Sequence, residues 1–389
     1  MTHKGIAIIG AGMIGGAHAS AYRQFAHRFG DGGVVLHTIC DMNDDLAREL
    51  AWTYGFQAVA SDWKQVIADP GIGIVSVCLP NFLHAEVTGA ALAAGKHVLC
   101  EKPLALTAAE ARPVRDAARS VDCVSGTVFN YRRIPALAEI KARIVAGELG
   151  RPVQITVQFQ CDYAADPQLP HSWRYEFDKA GPGALLDLGT HGVDMMRFLF
   201  GDVQEVVGAV STISVPERHL PKAATTGHGH VELSDRTARV DNDDVMSGLL
   251  RFVNGAQGYV SASRVAVGSG NRLAVEVHGT NGTARFSTET PSFYELAVFD
   301  GTLPANFMRI PNRLSSPAVG RLAPVPHDLV SIGYAEVFGY LIHEFLEAIE
   351  QGQPLTNGSI EDGYRAAQVL DAIQAASVQG GPVAVAWQD

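Results

Sequence analysis

The sequence predicts an α/β protein in two parts, a doubly wound parallel sheet followed by an α+β domain with a large, mostly antiparallel open sheet. Through residue 128, short apolar runs typical of strands buried on both faces alternate with helical stretches. From residue 153 the apolar residues alternate strictly, which indicates strands with one solvated face. Single cores stop growing at about 250 to 300 residues. With 389 residues the chain is expected to form two domains, 1–128 and 129–389.

The first strand runs straight into a Gly-x-Gly-x-x-Gly loop and then into a helical stretch, the context that a Rossmann dinucleotide site requires. The first glycine allows a tight turn, the second lets the backbone approach a pyrophosphate, and the third lets helix and strand pack closely. The phosphates then lie at a helix N-terminus with free N–H groups. The predicted phosphate-binding positions are Gly10, Gly12, Met13, Ile14 and Gly15.

The second strand, residues 34–40, ends in Asp41, whose carboxylate is expected to accept hydrogen bonds from the adenosine ribose. Asp41 follows Gly15 by 26 residues (41 − 15). This spacing exceeds the usual value of about 20, and a long loop at 29–33 explains the excess. A cap for the next helix is an alternative role, and the two are compatible. Two more aspartates follow and would repel a 2′-phosphate, so the sequence favours NAD over NADP.

Ligands bind beyond the carboxyl ends of parallel strands. Three segments follow the third, fourth and fifth predicted strands and are expected to line one crevice: Pro80-Asn81, Glu101-Lys102-Pro103 and 130–132. Lys102 is a candidate proton carrier there. Asn81 and His84 either contact the cofactor or cap the next helix. The cofactor contacts predicted from these segments are Leu79, Pro80, Asn81, His84, Glu101 and Lys102.

An acid and a histidine, Asp187 and His191, mark a second candidate site. In a helix they stand at i and i+4 on one face, where the carboxylate raises the basicity of the imidazole and orients it. A structural ion pair is the alternative. Gly189 and Gly192 would each cost a helix up to about 1 kcal/mol. We therefore expect something to approach the backbone closely here, which favours a site.

Turn residues and polarity predict the structure of the rest of the second domain. Asn-Gly pairs predict hairpins within 249–259 and 273–286. The polar stretch 216–241 is interpreted as a long loop or arm, and two helices, 334–350 and 359–378, close the chain with uncertain docking. An open sheet needs a cover for its other face, so a homodimer or homotetramer through this sheet is expected.

Composition excludes several classes of function. A net charge of −11 and a pI near 5.7 give no basic face for nucleic acid or an anionic membrane surface. The sequence shows no signal peptide and no run of about 18 apolar residues, so a cytoplasmic location is expected. The five cysteines lack metal-ligand spacing and are interpreted as reduced core residues. His228 and His230 have no further ligands at zinc spacing, so no metal is predicted.

Together these motifs resemble the Gfo/Idh/MocA family of sugar and polyol oxidoreductases. The resemblance spans nearly the whole chain and rests on residues 10–15, 101–103, 130–132, Asp187-x-Gly189-x-His191 and 278–282. It implies a Rossmann domain, then a mostly antiparallel domain whose sheet forms the subunit interface. It also implies that Lys102, Asp187 and His191 flank the nicotinamide and the sugar.

Segments 172–174 and 215–218 are similar to a branch of the family that acts on levoglucosan, an anhydrosugar. Aromatic faces and forked donors suit hydroxylated rings, although a core role for the aromatics and a solvated Arg174 are the alternatives. The predicted substrate contacts are Lys102, Asn130, Tyr131, Trp173, Arg174, Asp187, His191 and Tyr334.

The expected reaction moves a hydride between the nicotinamide and a secondary alcohol of a cyclic sugar, anhydrosugar or inositol. His191 is the preferred base with Asp187 orienting it, while Lys102 hydrogen-bonds the reacting oxygen or relays the proton itself. Two alternatives are an NAD-dependent glycosidase that recycles its cofactor and a non-catalytic NAD-binding regulator. The presence of all three acid–base residues argues against the regulator.

Overall fold

The chain forms two compact units. The computed structural model describes residues 5–25, 35–222, 229–303, 305–313 and 333–387. The first unit comprises residues 1–130 and 334–367, and the second comprises 131–333 and 368–389. The predicted loop at 29–33 lies outside the described residues. No helix in the described ranges combines the length and apolarity needed to cross a membrane.

A six-stranded parallel sheet with helices between its strands forms the first unit, as the alternating pattern predicts. Its order is β3-β2-β1-β4-β5-β6, so the direction of strand progression reverses between β1 and β4, which is where such sheets bind ligands. The strands are β1 Gly5–Ile9, β2 Val35–Cys40, β3 Ala58–Ala60, β4 Ile72–Val77, β5 His97–Cys100 and β6 Ser125–Thr127. The helices between them are α1 Met13–Phe25, α2 Asp44–Tyr54, α3 Trp63–Ala68, α4 His84–Ala93 and α5 Ala108–Ser120.

Two helices from the end of the chain complete this unit, α9 Tyr334–Gln351 and the first part of α10 Ile360–Gln379. Alternate residues of β1 face two separate cores, one on each side of the sheet. On one side Phe338 and Phe345 of α9 join the core with Tyr22 of α1. On the other side the start of α10 adds apolar side chains. The sequence left open where the two closing helices pack. In the structure α9 packs on one face of the parallel sheet and the start of α10 packs on the other.

The second unit is built on a nine-stranded sheet of order β16-β15-β14-β13-β7-β12-β11-β8-β17, antiparallel except for the pair of β7 and β12. Both predicted Asn-Gly hairpins form, as β11 with β12 and β13 with β14. The strands are β7 Pro152–Gln160, β8 Val203–Thr212, β11 Val245–Phe252, β12 Gln257–Ser263, β13 Arg272–Gly279, β14 Gly282–Ser287, β15 Phe293–Val298, β16 Met308–Pro311 and β17 Val383–Ala384. The helices are α6 Pro135–Val145, α7 Phe177–Ala180 and α8 Thr190–Phe200.

The polar stretch 216–241 is not a plain loop. It forms a two-stranded antiparallel sheet, β9 Glu217–Pro221 with β10 Leu233–Arg239. Its anchor is Arg218, a fully buried side chain whose guanidinium carbon lies 4.4 Å from the centre of the Tyr175 ring. The guanidinium also donates to the carbonyl oxygens of Ala164 and Asp166. The stretch looked unstructured because a cation, and not an alternating apolar pattern, holds it in place.

We predict that Gly279→Ala destabilises the second unit. A Cβ at Gly279 would overlap the backbone carbonyl oxygen of Leu149, so main chain must move to admit it. Overpacking of this kind costs about 1–3 kcal/mol. Urea unfolding followed by tryptophan fluorescence and circular dichroism should show a lower midpoint. Gly270→Ala, in the bend before β13, is the control, because a Cβ there would meet no atom within 4 Å. Equal midpoints for the two variants would contradict the packing argument.

Candidate active site

The glycine loop has the geometry of a phosphate-binding turn. Gly10 has a positive φ of 111° and donates its N–H to the Cys40 carbonyl at 2.8 Å. A Cβ there would overlap the carbonyl of Cys78, and one at Gly15 would overlap the carbonyl of Gly10. Gly12 differs, because a Cβ there would meet nothing within 4 Å. Main chain therefore packs tightly against Gly10 and Gly15, whereas the space at Gly12 is open. A pyrophosphate fits at this open position, at the N-terminus of α1.

Asp41 ties this loop to the end of β2. Its carboxylate accepts hydrogen bonds from the N–H of Ala11 at 2.7 Å and of Asn43 at 2.8 Å. Asn43 itself caps α2, because its side chain accepts from the Leu46 N–H. Each Asp41 oxygen thus accepts one backbone bond, and a carboxylate has capacity for more, so ribose hydroxyls remain suitable donors. Next to the loop, the Met13 side chain is 67% exposed and Ile14 is half-buried.

His84 joins two of the predicted cofactor segments. Its buried ring lies 2.7 Å from the carbonyl oxygen of Leu79 and 2.6 Å from that of Pro103. Burial lowers the pKa of the imidazole, and the two carbonyls oppose that shift. The ring therefore links the segment after β4 to the segment after β5. Pro80 precedes a short 3₁₀ turn, Asn81–Leu83, in which Asn81 is half-buried.

Lys102 is half-buried and is joined to Pro103 by a cis peptide bond. Its backbone N–H donates to a carboxylate oxygen of Glu101 at 3.1 Å. The other Glu101 oxygen lies 3.1 Å from Nε2 of His18, a fully buried histidine on α1. No motif in the sequence indicates His18, because it is separated from Glu101 by 83 positions.

In the second unit, Asp187 lies in a single π-helical turn, Leu185–Gly189, that leads into α8. Every other residue from 180 to 196 is buried, whereas Asp187 is partly exposed. Its carboxylate accepts a hydrogen bond from the Tyr163 hydroxyl at 2.6 Å. Burial raises the pKa of Tyr163 well above its ordinary value, so this hydroxyl keeps its proton and acts as a donor. Sequence reasoning missed Tyr163, which lies in an irregular segment.

Aromatic rings enclose His191, which is 6% exposed. The Tyr131 ring meets the imidazole edge-on with centroids 4.8 Å apart, and the Phe159 ring lies at 5.6 Å. The Asn271 amide donates to the Tyr131 hydroxyl oxygen at 3.2 Å. These contacts set the plane of the imidazole. Packing against Tyr131 and against Phe159 of β7 therefore holds the imidazole ring in place.

Gly189, at the end of the π-helical turn, and Gly192, in α8, have a packing role. A Cβ at Gly192 would lie 2.9 Å from a methyl group of Val260, and one at Gly189 would lie 3.2 Å from the Met246 side chain. The close approach that the sequence predicted is therefore made by the side chains of β11 and β12. This finding corrects the inference that these glycines indicate a ligand.

The remaining predicted substrate residues differ in exposure. Asn130 is 1% exposed, and within the described part of the chain its amide nitrogen has no hydrogen-bond partner. Trp173 and Arg174 are half-buried in a 3₁₀ turn, with the guanidinium stacked 4.5 Å from the indole centre. Their turn is anchored at the Arg174 carbonyl, which accepts from the Arg264 guanidinium at 3.2 Å. In the first unit, Tyr334 is 46% exposed and packs edge-on against a phenylalanine ring.

Arg132, within the predicted 130–132 segment, is a structural residue of the second unit. Its guanidinium donates to both carboxylate oxygens of Asp194 on α8, with Nε to Oδ2 at 2.9 Å. Both side chains are buried. A bidentate pair of this kind fixes the segment to α8.

These features define a class of protein. A dinucleotide loop with an acidic residue at the end of β2 is typical of NAD-binding enzymes. The partly exposed Asp187, one turn before His191, is a candidate for acid–base chemistry. The class is the NAD-dependent oxidoreductases, as the sequence predicts.

Comparison with known proteins identifies the family within this class. Residues 4–129 match the oxidoreductase family with an NAD-binding Rossmann fold, and residues 137–285 match the GFO/IDH/MocA C-terminal domain. The chain is 37% identical to levoglucosan dehydrogenase of Pseudarthrobacter phenanthrenivorans over 377 residues, 96% of each chain. It belongs to the Gfo/Idh/MocA family, and the predicted Rossmann and α+β architecture is confirmed.

A further relative and a solved structure are similar over much or all of the chain. Myo-inositol 2-dehydrogenase of Thermotoga maritima is 30% identical over 277 residues, 71% of this chain and 73% of the relative. A solved structure of levoglucosan dehydrogenase in complex with NADH and levoglucosan matches with a TM-score of 0.89 at 35% identity, covering 100% of both chains.

Proposed function

We propose that this protein is a dehydrogenase that oxidises a secondary alcohol of a cyclic sugar, anhydrosugar or inositol, with levoglucosan as the first candidate. The observation that carries the proposal is Asp187, a partly exposed carboxylate in an otherwise buried stretch, one turn before His191. The names of the relatives, levoglucosan dehydrogenase and myo-inositol 2-dehydrogenase, support this substrate class. Their identities of 37% and 30% support the class and not a particular sugar.

Bound NAD supplies the hydride acceptor. In the proposed mechanism His191 takes the proton of the reacting hydroxyl, and Asp187 balances the charge that the imidazole gains. Tyr163 keeps one Asp187 oxygen hydrogen-bonded. Lys102 donates a hydrogen bond to the reacting oxygen and stabilises developing alkoxide charge, or takes the proton in place of His191.

The cofactor and substrate contacts are proposals of the same kind. Asp41 is assigned to the adenosine ribose, because each of its oxygens retains acceptor capacity. For the sugar, the stacked pair Trp173 and Arg174 offers an aromatic face beside a forked donor. Tyr131 is proposed as a substrate contact because it lies against His191. Tyr334 is proposed as another because it is accessible.

We also propose a homo-oligomer formed through the nine-stranded sheet. One face of this sheet carries apolar side chains without cover from its own unit, such as Leu249, 55% exposed, and Val210. These two lie on neighbouring strands, where Val210 pairs with Ser247 and Leu249 pairs with Gly208. A second subunit is the cover that the proposal requires.

The substrate class is tested by NADH formation with purified protein and a panel of levoglucosan, 1,5-anhydrosugars, inositols and aldoses. We expect NADH to accumulate in equal amount to the oxidised product, with the highest kcat/KM for one member of the panel. NADP is run in parallel, and we expect poor use of it because Asp41 would repel a 2′-phosphate. Release of a free sugar without NADH would indicate a glycosidase that recycles its cofactor and would contradict the proposal.

The catalytic assignment predicts that Lys102→Ala and His191→Ala each lower kcat by about 10²- to 10⁴-fold, the usual contribution of a general acid or base. NAD affinity, measured by calorimetry, should stay within a few-fold. The exposed Lys64 and the half-exposed His278 supply matched controls, Lys64→Ala and His278→Ala, that should keep full activity. Wild-type kcat in either site variant removes that residue from the mechanism.

The oligomer is tested by light scattering after size exclusion. We expect a mass that is a multiple of the 41.4 kDa chain, and a shift to monomer in the double variant Val210→Lys, Leu249→Lys, because two buried lysines would be desolvated without partners. Exposed Val145→Lys on α6 is the control. A monomeric wild-type protein would refute this interface.

A further inference from the structure

A chain of polar side chains crosses one core of the first unit. Its members are Tyr22 and His18 on α1, Ser76 on β4 and Glu101 after β5, all of them buried. A central parallel strand is expected to be apolar on both faces, and the neighbours of Ser76 along β4, Val75 and Val77, obey that rule. The polar chain is therefore an exception that needs a physical reason.

Every link of this chain is within hydrogen-bond distance. The Tyr22 hydroxyl lies 2.9 Å from Ser76 Oγ, and Ser76 Oγ lies 3.2 Å from His18 Nδ1. His18 Nε2 is 3.1 Å from Glu101 Oε1. An ionised carboxylate only accepts, so Nε2 carries a proton toward Glu101 whether the ring is neutral or charged. The other oxygen, Glu101 Oε2, accepts the backbone N–H of Lys102.

The surroundings leave little freedom in this arrangement. The ring of Phe338 on α9 meets the His18 ring edge-on at 5.5 Å. Burial raises the pKa of Tyr22, so its hydroxyl stays protonated and continues to donate. Such a network costs desolvation, and apolar residues of similar volume often stabilise a core as well or better. Its benefit is better explained by what it orients than by stability.

We propose that His18 is a positioning residue for Lys102. It holds one oxygen of Glu101, so that the other oxygen fixes the backbone from which the Lys102 side chain projects. His18 also lies on α1, the helix whose N-terminus carries the glycine loop. The contacts of Glu101 with His18 and with the Lys102 N–H therefore connect the lysine to the helix that begins at the phosphate-binding loop. This inference rests on the proposed function, in which Lys102 contacts the reacting oxygen.

A graded series of variants tests the inference. His18→Leu removes the donor to Glu101, and a misplacement of about 1 Å at a reacting group costs up to about 10²-fold in rate. We expect kcat to fall about 10- to 100-fold while NAD affinity changes by less than about threefold. His18→Gln, which keeps a donor toward Glu101, should recover a large part of the loss. Ser76→Ala and Tyr22→Phe should have successively smaller effects.

Non-additivity separates positioning from mere structural support. In a Lys102→Ala background, His18→Leu should cause no further loss of kcat, because its effect acts through the lysine. Additive losses, or a kcat unchanged by His18→Leu, would overturn the inference. Should His18→Leu not fold, Ser76→Ala decides: a kcat loss of about threefold or more that vanishes in the Lys102→Ala background supports it, and an unchanged kcat refutes it.

The same set of variants distinguishes failure of this inference from failure of the proposed function. Lys102→Ala with wild-type kcat would remove the lysine from the reaction, and this inference with it, while the dehydrogenase activity would stand. The proposed function itself would fail if the wild-type protein formed no NADH with any member of the panel. A large effect of Lys102→Ala combined with silent His18 variants would leave the proposed function intact and reject only the role of His18.

Discussion

The close approach of main chain at Gly10 and Gly15 is the constraint on which the first unit depends. A Cβ at either position would overlap a carbonyl oxygen, so β1, β4 and α1 sit at one fixed spacing. At that spacing the start of α1 presents its free N–H groups at the open Gly12, and the next turns of the helix bring His18 within reach of Glu101. The glycine loop at the start of α1 and the backbone of Lys102 are therefore both connected to α1, the latter through Glu101 and His18.

Close packing also determines the positions of Asp187 and His191 in the second unit. A π-helical turn and α8 are packed so closely on the sheet that a Cβ at Gly189 or Gly192 would crowd side chains of β11 and β12, and this packing buries the stretch apart from Asp187. Contacts from outside the helix then orient the two residues of the proposed acid–base pair. The Tyr163 hydroxyl binds the carboxylate, and the ring of Tyr131 packs against the imidazole of His191. Proton transfer needs such fixed orientations, because reorganisation would otherwise be part of the barrier.

Local signals made most of the architecture predictable. The glycine loop, the apolar strands and the Asn-Gly turns each act over a few residues, and all of them formed as expected. What the sequence did not reveal depends on contacts between distant positions. Tyr163 is 24 positions from Asp187, and His18 is 83 from Glu101, so neither pair forms a motif. The hairpin of 216–241 was missed because a buried arginine anchors it, and the glycines of α8 were misread because their neighbours lie on other strands.

The return of α9 to the first unit has a consequence for biosynthesis. The core beside β1 includes Phe338, Leu341 and Phe345, yet the 203 residues from 131 to 333 (333 − 131 + 1) are made before them. At about 5 to 20 residues per second, this interval lasts roughly 10 to 40 seconds. During that time the nascent first unit has its sheet but lacks both α9 and the first part of α10, so apolar side chains on both faces of the sheet lack part of their cover. The unit that is synthesised first is therefore the unit that completes its core last. Its incomplete core is an apolar surface that chaperones can bind during this interval.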